Sequence, residues 1–295
     1  MAPNQDSPDN HVKRAYELFK EGLYEEALDE LDKAIELNPK EPKYYYEKGN
    51  ALYMLGRYEE ALDELDKAVK LDLKNPDYHF YKGKTLYMLG RYEEAVREYD
   101  KAIRLDPSEQ DYYFYKGILL FYLDRYEEAL KELDKAFESN RNNPQYYFYK
   151  AGALYMLERY EEALNYVEKA IELDSENPEY YNLKGNVLVG LEHYKEALKE
   201  YGKAMERKPS NPKYYHDKAY ALYMLDLYEE ALNYVEKAIE LDSENPEYYN
   251  LKGNVLVGLG RYEEALKEFD KAIELDSENP EYHYNKGYAL LYLHR

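Results

Sequence analysis

The 295-residue sequence contains no cysteine and no tryptophan. Without thiols it forms no disulfide, holds no metal through thiolate and has no cysteine nucleophile. No apolar run approaches the roughly 20 residues a helix needs to cross a bilayer. The opening MAPNQDSPDN lacks the basic and apolar segments of a secretory signal. A soluble, cytoplasmic protein is therefore expected. Positive charge is also scarce: 40 Lys and Arg stand against 61 Asp and Glu, a net charge of −21. Such a field repels phosphate backbones and anionic lipid, which argues against nucleic-acid and membrane binding and favours basic partners. There is no Gly-rich phosphate loop, and the scattered histidines show no ligand spacing, so no cofactor and no metal are expected.

What the sequence has is a period of 34 residues. From Lys43 onward, equal stretches end at Pro76, Gln110, Pro144, Pro178, Pro212, Pro246 and Pro280. Each carries a Tyr pair, Lys-Gly, an apolar run, Tyr-Glu-Glu-Ala-Leu and Lys-Ala. A period of this size means stacked supersecondary units sharing one continuous core, not a globule around one deep cleft. In residues 43–76, Tyr45, Gly49, Leu52 and Leu55 make one helical stripe, and Ala61, Leu62, Leu65, Ala68 and Val69 a second. Gly56-Arg57 breaks the two, and Pro76 opens the next helix. Glu59-Glu60 lie in the first turn of the second helix, where carboxylates suit the helix dipole. Acid pairs of this kind suggest acid–base catalysis until they recur at the same helix start in unit after unit. No enzymatic activity is expected.

This frame closely resembles that of the tetratricopeptide repeat family. Tyr45, Gly49, Leu52, Tyr58, Ala61, Leu65 and Ala68 occupy its positions, as do Tyr181, Gly185, Leu188, Tyr194, Ala197, Tyr201 and Ala204 further on. The resemblance runs from about Pro8 to Arg295 and implies an all-α, right-handed superhelical solenoid of helix–turn–helix repeats. The expected organisation is a tail (1–8) and eight units (9–42, 43–76, 77–110, 111–144, 145–178, 179–212, 213–246, 247–280). A capping helix (281–295) closes it. Two departures stand out. Lys precedes the small residue in nearly every unit (Lys48, Lys82, Lys116, Lys150, Lys184, Lys218, Lys252, Lys286), and Ala151 and Ala219 replace the Gly. His79 and His283 take an aromatic slot of the frame and read as structural.

In the family the first helix of each unit lines a concave groove, so function is sought where those helices vary. The resemblance places there Tyr46, Glu47 and Asn50, then Phe80, Tyr81, Lys84 and Tyr87. Phe114, Tyr115, Ile118 and Phe121 follow, then Phe148, Tyr149 and Tyr155. The later units change character, with Asn182 and Asn186, then His216, Asp217 and Tyr220, then Asn250 and Asn254. Aromatic faces hold apolar, proline or cationic side chains with little entropy loss. Asn amides match an extended backbone, and Gly190 and Gly258 suggest a small pocket in the wall. The Lys, Asn and Arg set with which chaperone-type relatives grip a C-terminal carboxylate is absent, because Tyr46, Tyr81 and Tyr115 fill its slots.

The expected function is a non-enzymatic scaffold holding an extended peptide or protein segment in the groove. Its ligand would carry apolar or aromatic anchors and be neutral to basic, since Glu47 and Asp217 face it and Lys84 is the main basic residue there. The alternative is a structural or self-assembling scaffold without a dedicated ligand; the oligomeric state expected is a monomer or weak self-association. Residues 160–191 and 228–259 are identical over 32 positions. Natural repeats drift, so this identity points to module copying in an engineered or strongly idealised protein.

Overall fold

A computed structural model describes residues 7–293. Among the described residues there are 18 α-helices in tandem and no strand, which is the expected all-α helix–turn–helix repeat architecture. The chain divides into two compact units, residues 1–141 and 142–295. The first contains α1 (Pro8–Lys20), α2 (Tyr24–Leu37), α3 (Pro42–Met54), α4 (Tyr58–Leu71), α5 (Pro76–Met88), α6 (Tyr92–Leu105), α7 (Gln110–Tyr122), α8 (Tyr126–Lys135) and α9 (Phe137–Asn140). The second contains α10 (Pro144–Met156), α11 (Tyr160–Leu173), α12 (Pro178–Gly190), α13 (Tyr194–Arg207), α14 (Pro212–Met224), α15 (Tyr228–Leu241), α16 (Pro246–Gly258), α17 (Tyr262–Leu275) and α18 (Pro280–Leu293).

Most first helices of a pair start where Asn is followed by Pro. Pro presets the helical φ and lacks a donor that would be orphaned anyway, while the Asn side chain accepts the amide two residues on. Asn177 takes the Glu179 amide at 3.0 Å, and Asn75 and Asn245 repeat the geometry. Where Gln110 replaces Pro, Glu109 supplies the cap at 3.1 Å. The opening helix begins at Pro8 and is capped by Ser7, inside the stretch expected to be tail. The second helices have no side-chain cap. Where an arginine precedes the helix it holds a first-turn carboxylate instead, as where Arg57 grips Glu60 at 2.7 and 2.6 Å. The tight turn between the two helices requires a left-handed residue: Gly56 (φ 75°) in one pair, but Glu192 (φ 61°) in another.

The pairs close on a small residue. A Cβ on Gly83 would stand 2.6 Å from Cε1 of Tyr99, so only glycine lets this ring reach the first helix. Where the small residue is Ala151 or Ala219, the facing position sixteen residues on holds Val167 or Val235, both fully buried. In the first unit α3, α5 and α7, and in the second α12, α14 and α16, each pack along their own second helix and on the second helix of the pair before. First helices also touch each other, α3 with α5 and α5 with α7 in one unit, and α10, α12, α14, α16 and α18 in sequence in the other. Each unit therefore presents one row of first helices.

The lysines that depart from the family pattern tie pairs together. Lys82 lies 2.7 Å from Asp66 in the preceding pair and 3.4 Å from Glu98 in its own. Lys48 and Lys116 repeat this bridge, and Lys252 does so with Glu236 and Glu268. Where Tyr replaces the carboxylate, the ammonium sits over its ring, Lys150 at 4.5 Å from Tyr166 and Lys218 at 4.4 Å from Tyr234. One departure from the regular pattern was not visible in the frame: the fourth second helix breaks after Lys135, and α9 follows, with Asn140 buried and donating to the Ala136 carbonyl at 3.0 Å.

Candidate functional site

The second tyrosine of each pair anchors its first helix. Tyr45, Tyr113, Tyr181, Tyr215 and Tyr249 each donate a hydroxyl to a carbonyl six residues earlier, at 3.0 to 3.2 Å. His79 and His283 reach the same carbonyls through Nε2, at 3.3 and 3.1 Å. Both histidines are thus structural, as the frame implied. These anchors fix the rotation of each first helix and hence which side chains reach its outer face.

In the first unit the face is a run of rings. Tyr46 meets Tyr81 edge-on at 5.2 Å, and Phe80 lies 5.3 Å from Tyr115 and 4.8 Å from Tyr112. The expectation that Phe80 and Phe114 are exposed fails: they are only 7% and 4% accessible. Phe80, one residue past the anchoring His79, falls in the seam where α5 meets α7. Tyr81, Tyr87, Tyr115, Ile118 and Phe121 remain half-buried and open to solvent, flanked by the exposed Tyr122 and Met88.

Glu47 is not an open groove carboxylate either. It is buried, accepts a hydrogen bond from Tyr16, and burial pushes its carboxyl up despite that bond and the Lys43 charge. Lys84 is the opposite case. Its ammonium stands 5.0 Å from the Tyr115 ring, 5.1 Å from Tyr81, and 5.7 Å from Tyr53 and from Phe80. Burial among these rings lowers its pKa, and the Asp111 charge does not reverse the shift. Asn50 Oδ1 is buried with no hydrogen-bond partner among the described residues.

In the second unit Phe148 is half-buried between Tyr149 and Tyr180, at 5.4 and 5.3 Å. Tyr155 is likewise half-buried, beside Tyr160 at 5.8 Å. The asparagines expected to meet a peptide backbone mostly bond within the protein. Asn182 is buried and donates to Asp217 at 3.1 Å; Asn186 accepts from Tyr201 at 2.7 Å. Asn250 is buried, donates to Glu281 at 3.1 Å and accepts from Asn285 at 2.9 Å. The bonds of Asn182 and Asn250 link neighbouring repeats, and that of Asn186 joins the two helices of its own repeat; a buried amide without partners is costly. Asp217 also faces His216 Nδ1 at 3.1 Å. The pocket expected at Gly190 and Gly258 is filled by Tyr160 and Tyr228, whose rings lie where a Cβ would sit, 2.6 and 2.7 Å away.

One cleft does open on this face. It has a volume of about 210 Å³ and is walled by His216, Tyr220, Asn250, Leu251, Asn254 and Glu281, among others. Tyr220 is 40% exposed there. Sequence reasoning missed Glu281 and Asn285, treating α18 as a cap. Their register was the available signal, because Glu281 falls 34 residues after Glu247 in the same Asn-Pro-Glu-Tyr start. No group of three or more His, Asp or Glu that could hold a metal ion occurs among the described residues. No described helix is long and apolar enough to cross a membrane.

Comparison with known proteins agrees with this geometry. The family model described as TPR repeat matches residues 15–56, 49–90 and 253–292, and models described as tetratricopeptide repeat match 76–109 and 110–143. Together they cover more than half of the chain. A model of the anaphase-promoting complex, cyclosome, subunit 3, matches 133–204 and 201–272. Compared with curated proteins, the sequence has no match. Among solved structures, MamA 41-end from Desulfovibrio magneticus RS-1 is 27% identical with a TM-score of 0.54, over 57% of this chain and 96% of that one. YrrB, a TPR protein with an unusual peptide-binding site, is 26% identical with a TM-score of 0.50, over 64% of this chain and 97% of that one. The APC/C hetero-tetramer Cut9-Hcn1 is 15% identical with a TM-score of 0.68, over 98% of this chain and 57% of that one, a likeness of fold alone.

Proposed function

The chain belongs to the tetratricopeptide-repeat family, and from that premise we propose that it is a non-enzymatic binding scaffold which holds an extended peptide or protein segment along its first-helix face. The observation that carries this reading is the row of half-buried side chains Tyr81, Tyr87, Tyr115, Ile118 and Phe121. A contiguous aromatic surface left open to water marks an interaction site, and large aromatic anchors supply most of an interface's energy. The cleft at Tyr220 and Asn254 offers the second unit a smaller foothold of the same kind. The peptide-binding site named for YrrB supports the class of ligand.

The contacting set we propose is narrower than the exposed positions of the frame. Tyr46, Tyr81, Tyr87, Tyr115, Ile118 and Phe121 form it in the first unit, and Phe148, Tyr149, Tyr155, His216, Tyr220 and Asn254 in the second. Phe80, Phe114, Asn182 and Asn250 support it from beneath. The ligand carries apolar or aromatic anchors. Its neutral-to-basic net character follows from the field of a chain of charge −21, since Glu47 and Asp217 are partnered internally. Binding of a peptide array tests the reading: apolar and aromatic sequences are retained, and poly-acidic ones winning instead would overturn it.

The identical 32-residue copies support an idealised or engineered origin, with repeat units divided as the period divides them. A second reading, a self-assembling scaffold, draws on α18, where Tyr284 and Leu291 are exposed and nothing among the described residues would come within 4 Å of a Cβ at Gly287. Size-exclusion light scattering separates the two: a concentration-independent monomer favours the binder, a filament or dimer the scaffold.

A further inference from the structure

The basic residue Lys84 stands apart from the lysines of the frame. Those either pair with second-helix carboxylates, as Lys82 does at 2.7 and 3.4 Å, or lie over a ring on the second-helix side. Lys84 projects from the middle of α5 on the first-helix face and makes no ion pair among the described residues. Four rings surround it: Tyr53 from the preceding pair, Phe80 and Tyr81 from its own helix, and Tyr115 from the next. Ring faces attract a cation but leave its three N–H donors without an anionic acceptor. Burial at this spot penalises the charge further, as the direction of its pKa shift records.

We propose that the first unit's face binds an acidic side chain of an extended peptide, with the Lys84 ammonium as its counter-charge and Tyr81 and Tyr115 as the walls of its site. The inference rests on the peptide-binding reading above and names one residue class within that peptide. A cationic ligand side chain is excluded from this ring cluster, because the cluster already holds a cation and a second would meet like charge at short range. A single carboxylate matches the single positive charge. A phosphate dianion calls for the convergent cations or helix N-terminus that phosphate sites use, and Lys84 lies mid-helix. The acidic residue sits inside a segment that is otherwise apolar and neutral to basic. The half-buried Tyr87, Ile118 and Phe121 on the same face pack its neighbours.

The test uses capped ten-residue peptides of extended apolar sequence with Glu, Gln or Lys at one central position, titrated into the full chain. The Glu peptide should bind about tenfold more tightly than the Gln peptide, the scale of one partly desolvated charge pair, and the Lys peptide should be weakest. That preference should vanish in Lys84→Gln and in Lys84→Met with helical content unchanged, and persist in Lys70→Gln, a change at an exposed lysine of the same unit. If Glu and Gln peptides bind equally, the face binds peptides but the acidic-residue assignment is wrong. If no peptide of the series binds, the peptide reading falls and the assignment with it. If excess sodium phosphate or acetate displaces the Glu peptide while leaving the Gln peptide bound, the site is one for free anions and the proposal is overturned. The wild-type comparison of Glu with Gln decides the matter even if both Lys84 variants fail to fold.

Discussion

The hydroxyl of Tyr214 donates a hydrogen bond to Glu179, 2.6 Å away and 35 residues earlier in the chain. Tyr112 makes the same bond to Asp77 at 2.7 Å. Each links the start of one first helix to the start of the one before, so it adds to contact between neighbouring repeats rather than within one. Burial, followed by the Glu179 bond, raises the phenol pKa of Tyr214. Tyr214→Phe keeps the buried ring and removes the donor to a carboxylate. It should lower unfolding free energy by about 1–2 kcal/mol, the range for a hydrogen bond to a charged group, read as a shift in urea midpoint.

Glu98 supplies a pH-dependent term. Burial would raise its carboxyl, but hydrogen bonds from His79 and Lys101 and the charges of Lys82 and Lys101 outweigh burial and hold it at about 2, against an ordinary 4.5. A depressed folded pKa contributes stability that is complete above the unfolded pKa and lost as pH falls toward the folded one. Glu98→Gln should therefore be less stable than the parent at pH 7, and the gap should close between about pH 4.5 and 2. Urea midpoints of both proteins across that range check it; a gap that is constant with pH would refute it.

The turns that use Glu192, Glu158, Asp124 and Asp226 at φ 57° to 61° hold non-glycine residues where other pairs use Gly. Left-handed backbone costs a side-chain-bearing residue of order 1 kcal/mol that glycine does not incur. Glu192→Gly should raise stability by roughly 0.5–1 kcal/mol, visible as a small increase in thermal midpoint. A decrease would mean that the Glu192 side chain contributes more than its backbone costs.

Gly83 and Tyr99 form a matched pair, as do Ala151 with Val167 and Ala219 with Val235 in other units. Gly83→Ala alone forces a methyl into the Tyr99 ring and should cost about 1–3 kcal/mol, the range for overpacking. Gly83→Ala with Tyr99→Val reproduces a combination the chain uses elsewhere. The double-mutant cycle should show a favourable coupling of at least about 1 kcal/mol. Additive losses would mean that the two positions do not meet.

The frame was legible in the sequence because one helical period and one repeat period decide it together. A histidine in the anchoring slot could be read as structural, since its neighbours in phase are tyrosines. Depth at the edge of the face was not legible. Phe80 sits at an angle that is exposed on an isolated helix and buried once α5 lies against α7. How closely adjacent first helices approach is a tertiary fact. The bonds of Asn182 to Asp217 and Asn250 to Asn285 join residues 35 apart, far beyond the three- and four-residue spacings by which helix neighbours are inferred. Even the unfamiliar lysines yielded their role only when the preceding pair's carboxylates were placed beside them.

The peptide-binding claim is tested most directly by calorimetric titration of one array-selected apolar peptide into the parent and into Tyr115→Ala/Phe121→Ala, each with helical content and thermal midpoint measured in parallel. Both side chains are half-buried on the face rather than in its supporting layer. The double substitution should weaken binding by at least roughly 2 kcal/mol, as loss of central aromatic anchors does, while the fold persists. Unchanged affinity in a folded variant would contradict the assignment of the first-helix face as the binding surface.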